Sequence, residues 1–180
     1  MTSPFASILD HLAPVNDSLV LAGGFAVNHH GYTRNTLDLD LICSEPNAQN
    51  IKRRLADAGY SDIETGPVAL HCRNPQNGFR IDLLLVDPDT FHTLRMDAVE
   101  SRIDESHVLQ ALSLEHLLAM KIHALACQPV VRRDKDLSDI AWLSFLNNLS
   151  PENDIHPLCL QFGTPELWHE ISNAIQSLRP

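Results

Sequence analysis

The sequence predicts an α+β chain in which strands and helices alternate up to about residue 110 and helices alone follow. Three observations predict it. Short apolar runs at Leu19–Ala22, Leu37–Cys43, Val68–Arg73 and Phe79–Val86 are bounded by Gly, Pro or Asn turns, as strands are. Between them, Pro46–Gly59 (PNAQNIKRRLADAG) reads as a helix with a glycine stop. After Ser113, a plausible N-cap, apolar residues fall at 114, 117, 118, 122 and 125, a helical stripe.

Bulk properties narrow the class. A chain of 180 residues is one domain, or a compact domain with a helical appendage. At 44% hydrophobic and 20% charged it has the composition of a soluble globular protein. A net charge of −10 argues against a broad nonspecific nucleic-acid footprint, while leaving room for a nucleotide or an RNA end on a local basic patch. Cys43, Cys72, Cys127 and Cys159 are scattered and form no CxxC pair, so they read as reduced thiols. The start MTSPFASILDHL lacks the features of a signal peptide, and no run approaches the ~18 apolar residues of a membrane span, so a cytoplasmic location is expected.

Taken in order, Ser7–Leu12 is a short helix and Pro14–Asp17 a turn into the first strand. Gly23-Gly24 ends that strand, and a helix is expected over Phe25–His30 with its free amides facing the turn. Gly31–Asn35 is a polar loop; its Arg34 is a solvated cation or a phosphate ligand. The next strand, expected at Leu37–Cys43, carries Asp38 and Asp40. Residues i and i+2 of a strand share a face, so the two carboxylates project together with Cα atoms roughly 6.5 Å apart. Leu37, Leu39 and Leu41 then point into a core. Thr36 opens this strand on the acidic face, where its hydroxyl reaches an aspartate or a phosphate, or is simply a β-branched strand residue. Two carboxylates side by side repel, and a cation between them relieves the repulsion.

Lys52-Arg53-Arg54 is most simply a wet helix face. A strand near Ile63 and a hairpin of Val68–Arg73 with Phe79–Val86 follow, joined by the turn Asn74–Gly78. In FRIDLLLV an unpaired buried carboxylate would be costly. Asp82 therefore either pairs with Arg80 or joins Asp38 and Asp40, and the second reading is favoured. Val99–Leu109 is an edge strand or loop. In the helix Leu114–Ala126, Lys121 falls inside the apolar stripe, so it snorkels out or meets an anion, a nucleotide phosphate by preference. Gln128-Pro129 breaks this helix; the next is Leu137–Leu146, led in by Val130–Asp136. Arg132 and Arg133 can bind phosphate through planar forks, and Asp136 and Asp139 sit on neighbouring surface positions. Ser150-Pro151 and Thr164-Pro165 open further helices, the last packing through Leu167, Trp168, Ile171 and Ile175. No HxxxH, HExxH, GxSxG, P-loop or GxGxxG occurs, and the adjacent His29-His30 do not converge on a metal.

Gly23-Gly24, a spacer, Thr36-x-Asp38-x-Asp40 and a later-strand Asp82 together resemble the polymerase-β-like nucleotidyltransferase superfamily. LAGGFAVNHHGYTRNTLDLDLIC is similar to small bacterial members, among them aminoglycoside nucleotidyltransferases and AbiEii-type toxins of toxin–antitoxin systems. SLEHLLAMKIHALACQPVVRRDKDLSDIAWL resembles the AbiEii-type helical region. The likeness spans Leu19–Leu146. It implies a mixed sheet flanked by helices in a catalytic domain over 1–110, and a helical bundle over 111–180 completing the nucleotide cleft. It further implies transfer of an NMP from an NTP, such as ATP, to an acceptor hydroxyl on an RNA 3′ end, a protein or a small molecule. Asp38, Asp40 and Asp82 would hold Mg²⁺ (or Mn²⁺) and carry catalysis. Gly23, Gly24, Thr36, Lys121, Arg133 and Asp136 would bind the nucleotide. An antitoxin partner goes with the toxin reading. A noncatalytic nucleotide-binding regulator on the same fold, or a structural Ca²⁺ site, are the alternatives.

Overall fold

The computed structural model describes residues 5–127 and 133–178. They fall into two compact units. One holds the residues up to Ala26 and Arg34–Ser113, the other Val27–Thr33 and the residues from Leu114 onward.

The first unit is built on a mixed sheet of β1 (Val20–Leu21), β2 (Asp38–Ser44), β3 (Asp62–Thr65), β4 (Ala69–Arg73), β5 (Arg80–Val86), β6 (Val99–Arg102) and β7 (Val108–Ala111), in the order β3-β4-β5-β2-β1-β7-β6. β2 runs parallel to β5, and β1 to β7; the other neighbours are antiparallel. The two central strands bury one face: Leu39, Leu41 and Cys43 of β2 and Ile81 and Leu83 of β5 are each at most 1% exposed. Leu37, expected in that row, is 75% exposed because the strand begins one residue later, at Asp38.

Helices α1 (Ala6–Leu12), α3 (Ala48–Asp57) and α4 (Pro88–Met96) complete the unit. α3 is anchored by Ile51 and Leu55 and starts later than expected, because Glu45–Asn47 forms a 3₁₀ turn ahead of it. Gly59 stops the chain in the left-handed region (φ +86°). α4 is absent from the expectations, although Asp87-Pro88 is a cap-plus-proline start. The Asp87 carboxylate accepts from the amides of Asp89 and Thr90 at 3.0 Å and from the Thr90 hydroxyl at 2.6 Å. These bonds, the hydroxyl's above all, lower its pKa. The Val99–Leu109 stretch resolves into β6 at the sheet edge and the start of β7, joined by a turn that Asp104 organises through the amides of Ser106 and His107.

α2 (Gly23–His29) begins two residues earlier than expected, at the glycines themselves. Its last turn belongs with the helical unit, where the Asn147 amide donates to the His30 carbonyl and Tyr32 stacks on Trp142 at 5.6 Å. The rest of that unit is α5 (Leu114–Cys127), α6 (Arg133–Leu146), α7 (His156–Phe162) and α8 (Pro165–Ser177). The Ser150 and Thr164 side chains cap the expected helix starts, accepting from Asn153 and Leu167 amides. Leu117, Ile122, Ile140, Leu143, Ile171 and Ile175 form its core. α6 begins four residues ahead of the expected Leu137; Arg132 and the Gln128-Pro129 break lie outside the described residues.

All four cysteines are free. Burial pushes the Cys43 thiol up to about 12 and the Cys72 and Cys159 thiols to about 11, so these three act as packing residues. Among the described residues no helix is long and apolar enough to cross a membrane.

One clip in the first unit is pH-sensitive. His107 meets Asp104 through Nδ1 at 2.8 Å and Asp10 of α1 through Nε2 at 3.0 Å. The Asp10 bond, more than any other contact, raises the histidine's pKa. A raised folded pKa means stability that is complete below the unfolded value near 6.5 and fades as pH rises through the folded one. His107→Asn is expected to lower the urea midpoint more at pH 6 than at pH 9; an equal loss at both would show that charge plays no part.

Candidate active site

Strand register assembles the acidic face. Within the parallel β2–β5 pair, Asp40 stands opposite Asp82 and Asp38 opposite Arg80. Side chains level with one another on adjacent strands share a face, and so do i and i+2 along one strand. Asp38, Asp40 and Asp82 are thus neighbours on the face opposite the Leu39–Leu41 core, each half-buried. Asp82 is the register partner of Asp40, and Arg80 approaches its Oδ1 at 3.8 Å, beyond hydrogen-bond length.

The glycine bend is fastened to the same place. The Ala22 amide donates to the Asp40 carbonyl at 2.9 Å, and the Gly24 amide points at Asp40 Oδ2 at 3.4 Å. Gly23 has φ +53°, and a Cβ there would fall 1.8 Å from Asp40 Oδ2. A Cβ on Gly24 would lie 2.5 Å from the Thr36 hydroxyl and 3.1 Å from the Arg34 guanidinium. No side chain fits at either position, so both glycines are required by space, and the first by backbone conformation as well. Thr36 precedes the strand, and its hydroxyl donates to the main-chain carbonyl of Asp38 at 3.2 Å, bracing the strand's start rather than bonding a carboxylate.

His71 of β4 is the residue that the sequence reading passed over. It is the register partner of Asp82, and its Nδ1 lies 2.9 Å from Asp82 Oδ1. Its ring is half exposed, whereas the Asp82 side chain is 15% exposed.

The helical unit holds the other expected residues in ion pairs of its own. Lys121 on α5 is only 5% exposed, so it does not snorkel. Its Nζ meets Asp136 at 2.8 Å and Asp139 at 2.6 Å, both on α6. Asp139, expected on the surface, is fully buried, because the α5–α6 packing turns it inward to Lys121. The Arg133 guanidinium pairs with Glu170 of α8, its Nε at 3.2 Å.

The donors on the sheet face suit a hard divalent cation: all are carboxylate oxygens, the ligands Mg²⁺ and Mn²⁺ prefer. Among the described residues no three His, Cys, Asp or Glu side chains already converge on a single point as ligands. Asp40 Oδ2 faces the Gly24 amide and Asp82 Oδ1 faces His71.

Comparison with known proteins bears on this arrangement. No curated protein matches the sequence significantly. Among solved structures, the chain is similar to the lincosamide antibiotic adenylyltransferase LnuA in its lincomycin-bound form, with 17% identity, a TM-score of 0.54, and 79% of this chain and 94% of that one covered. It is similar to the antibiotic-resistance factor ANT(2'')-Ia, with 11% identity, a TM-score of 0.53 and coverage of 96% and 88%. A nucleotidyltransferase-like antigenic protein from Paracoccidioides brasiliensis matches with 16% identity, a TM-score of 0.50 and coverage of 92% and 88%. At such identities the likeness establishes the nucleotidyltransferase fold. The sequence itself goes further: residues 7–164 match the family model described as nucleotidyl transferase AbiEii toxin, type IV toxin–antitoxin system, so the chain belongs to the AbiEii family and is a nucleotidyltransferase.

Proposed function

We propose that the chain transfers an NMP from an NTP to an acceptor hydroxyl, with release of pyrophosphate, on the carboxylate face of its sheet. The observation that carries this reading is the register that sets Asp40 beside Asp82, with Asp38 two residues along and the Gly23 bend against Asp40. Asp38, Asp40 and Asp82 would hold Mg²⁺ or Mn²⁺, which when bound neutralises charge on the transferring phosphate. Gly23 and Gly24 would offer main-chain amides to the triphosphate. Thr36 keeps Asp38 in place through its carbonyl. Asp82, at the outer side of the pair, is the carboxylate proposed to accept the proton of the incoming hydroxyl. Lys121, Arg133 and Asp136 extend the proposal as nucleotide-binding residues. Arg133 would exchange Glu170 for phosphate oxygens, and Asp136 would orient Lys121.

The acceptor is proposed to be a hydroxyl on an RNA 3′ end, a protein or a small molecule; the family match supports a toxin role beside an antitoxin, and a cytoplasmic location is part of the proposal. Incubation with Mg²⁺ and each α-labelled NTP, against total RNA, the protein itself and lincomycin, separates the three acceptors. Nucleotide binding with no transfer to any of them would favour the noncatalytic reading.

Asp38→Ala/Asp40→Ala is expected to lower transfer by at least ~10³-fold with its thermal midpoint held or raised, because removing like charges relieves repulsion. Unchanged turnover would contradict the metal assignment. Gly23→Ala is expected to lower transfer and stability together, since a Cβ collides with Asp40 and the backbone is left-handed. A fully active, fully stable variant would contradict the role of the bend. Lys121→Met is expected to destabilise the helical unit by about 3–5 kcal/mol by stranding buried Asp139, measured as a loss of urea midpoint.

A further inference from the structure

The contact between His71 and Asp82 is used by none of the roles above, yet it is a side-chain hydrogen bond to the third carboxylate. The two residues face each other across the antiparallel β4–β5 pair, with Nδ1 at 2.9 Å from Oδ1. An ionised carboxylate only accepts, so Nδ1 carries the proton in this contact and donates it. Arg80 also approaches Oδ1, at 3.8 Å, too far for a hydrogen bond. Both His71 and Arg80 therefore address one oxygen of Asp82, and Oδ2 is the oxygen left for a cation or an acceptor hydroxyl.

We infer that His71 is a positioning residue for the transfer reaction: its Nδ1–H fixes the rotamer of Asp82 and so selects which carboxylate oxygen serves the reaction. The inference rests on the reading of Asp82 given above. A bare carboxylate beside Asp40 is driven away by like charge. A donor from β4 holds it on the sheet face against that repulsion. The half-exposed ring sits at the rim rather than in the core, so its removal spares the packing, and an aromatic replacement suits a strand.

The test uses the full-length chain and three proteins: wild type, His71→Phe and His71→Asn. Asparagine returns an N–H donor at the δ position of the lost ring; phenylalanine returns only the shape. Mn²⁺ binding is measured calorimetrically without nucleotide, and transfer from α-labelled NTP is measured as kcat and KM. The account expects His71→Phe to bind Mn²⁺ about 10-fold more weakly and to lose about 10-fold or more in kcat, as loss of an outer hydrogen bond to a ligand does. KM for the NTP should stay within about twofold, thermal midpoints should match, and His71→Asn should recover most of both losses. Phe and Asn variants that behave alike, whether wild-type or equally impaired, or losses that follow the thermal midpoint, overturn the inference while leaving the catalytic reading standing. A wild type whose Mn²⁺ binding is untouched by Asp38→Ala/Asp40→Ala overturns that reading itself, and the role of His71 with it.

Discussion

Parallel strands hold level side chains at a fixed spacing, and between β2 and β5 that geometry is spent on two carboxylates. Asp40 and Asp82 cannot move apart without sliding one strand past the other, which would turn Leu39, Leu41, Ile81 and Leu83 out of the core. Hydrophobic burial on one face therefore enforces electrostatic repulsion on the other. The surrounding structure answers the repulsion with donors: the Gly24 amide at Asp40 and the His71 ring at Asp82. A site crowded by like charge and braced by such donors is suited to receive a divalent ion.

The glycine bend follows from the same constraint. β1 is only two residues long, and it is held between β2 and β7, so the chain leaving it must turn within the width of one strand. Ala22 bonds the Asp40 carbonyl, and the left-handed Gly23 swings the chain into α2 directly over the Asp40 side chain. Sheet, bend and helix start are one device, and Asp40 is the residue common to its three parts. In the helical unit the comparable centre is Lys121 between Asp136 and Asp139, a buried ion cluster that fixes how α5 meets α6.

Much of the acidic face was legible because strand alternation is a short-range rule: Asp38 and Asp40 declare their common side by spacing alone, and Asp82 stands out as a charge in FRIDLLLV. What depended on register was not legible. A turn of five residues, Asn74–Gly78, would set Arg73 opposite Phe79 and turn His71 to the wrong side. The connection includes Phe79, whose carbonyl accepts from the Asn74 amide, and this one-residue change puts His71 opposite Asp82. Asp139 was misplaced for a similar reason: three-residue spacing puts it beside Asp136 but does not say which of the two faces the neighbouring helix. α4 escaped because its apolar pattern is weak, although its Asp-Pro start carries the cap chemistry plainly.

The acidic face of β2 and β5 is proposed to hold its divalent metal through Asp38, Asp40 and Asp82. A crystal of the full chain soaked with Mn²⁺ and a non-hydrolysable NTP, read by anomalous scattering, tests it most directly. The expected result is manganese beside the Asp38, Asp40 and Asp82 carboxylates, with the triphosphate near Gly23-Gly24. Manganese bound elsewhere, or a nucleotide held with no ion beside these carboxylates, would contradict it.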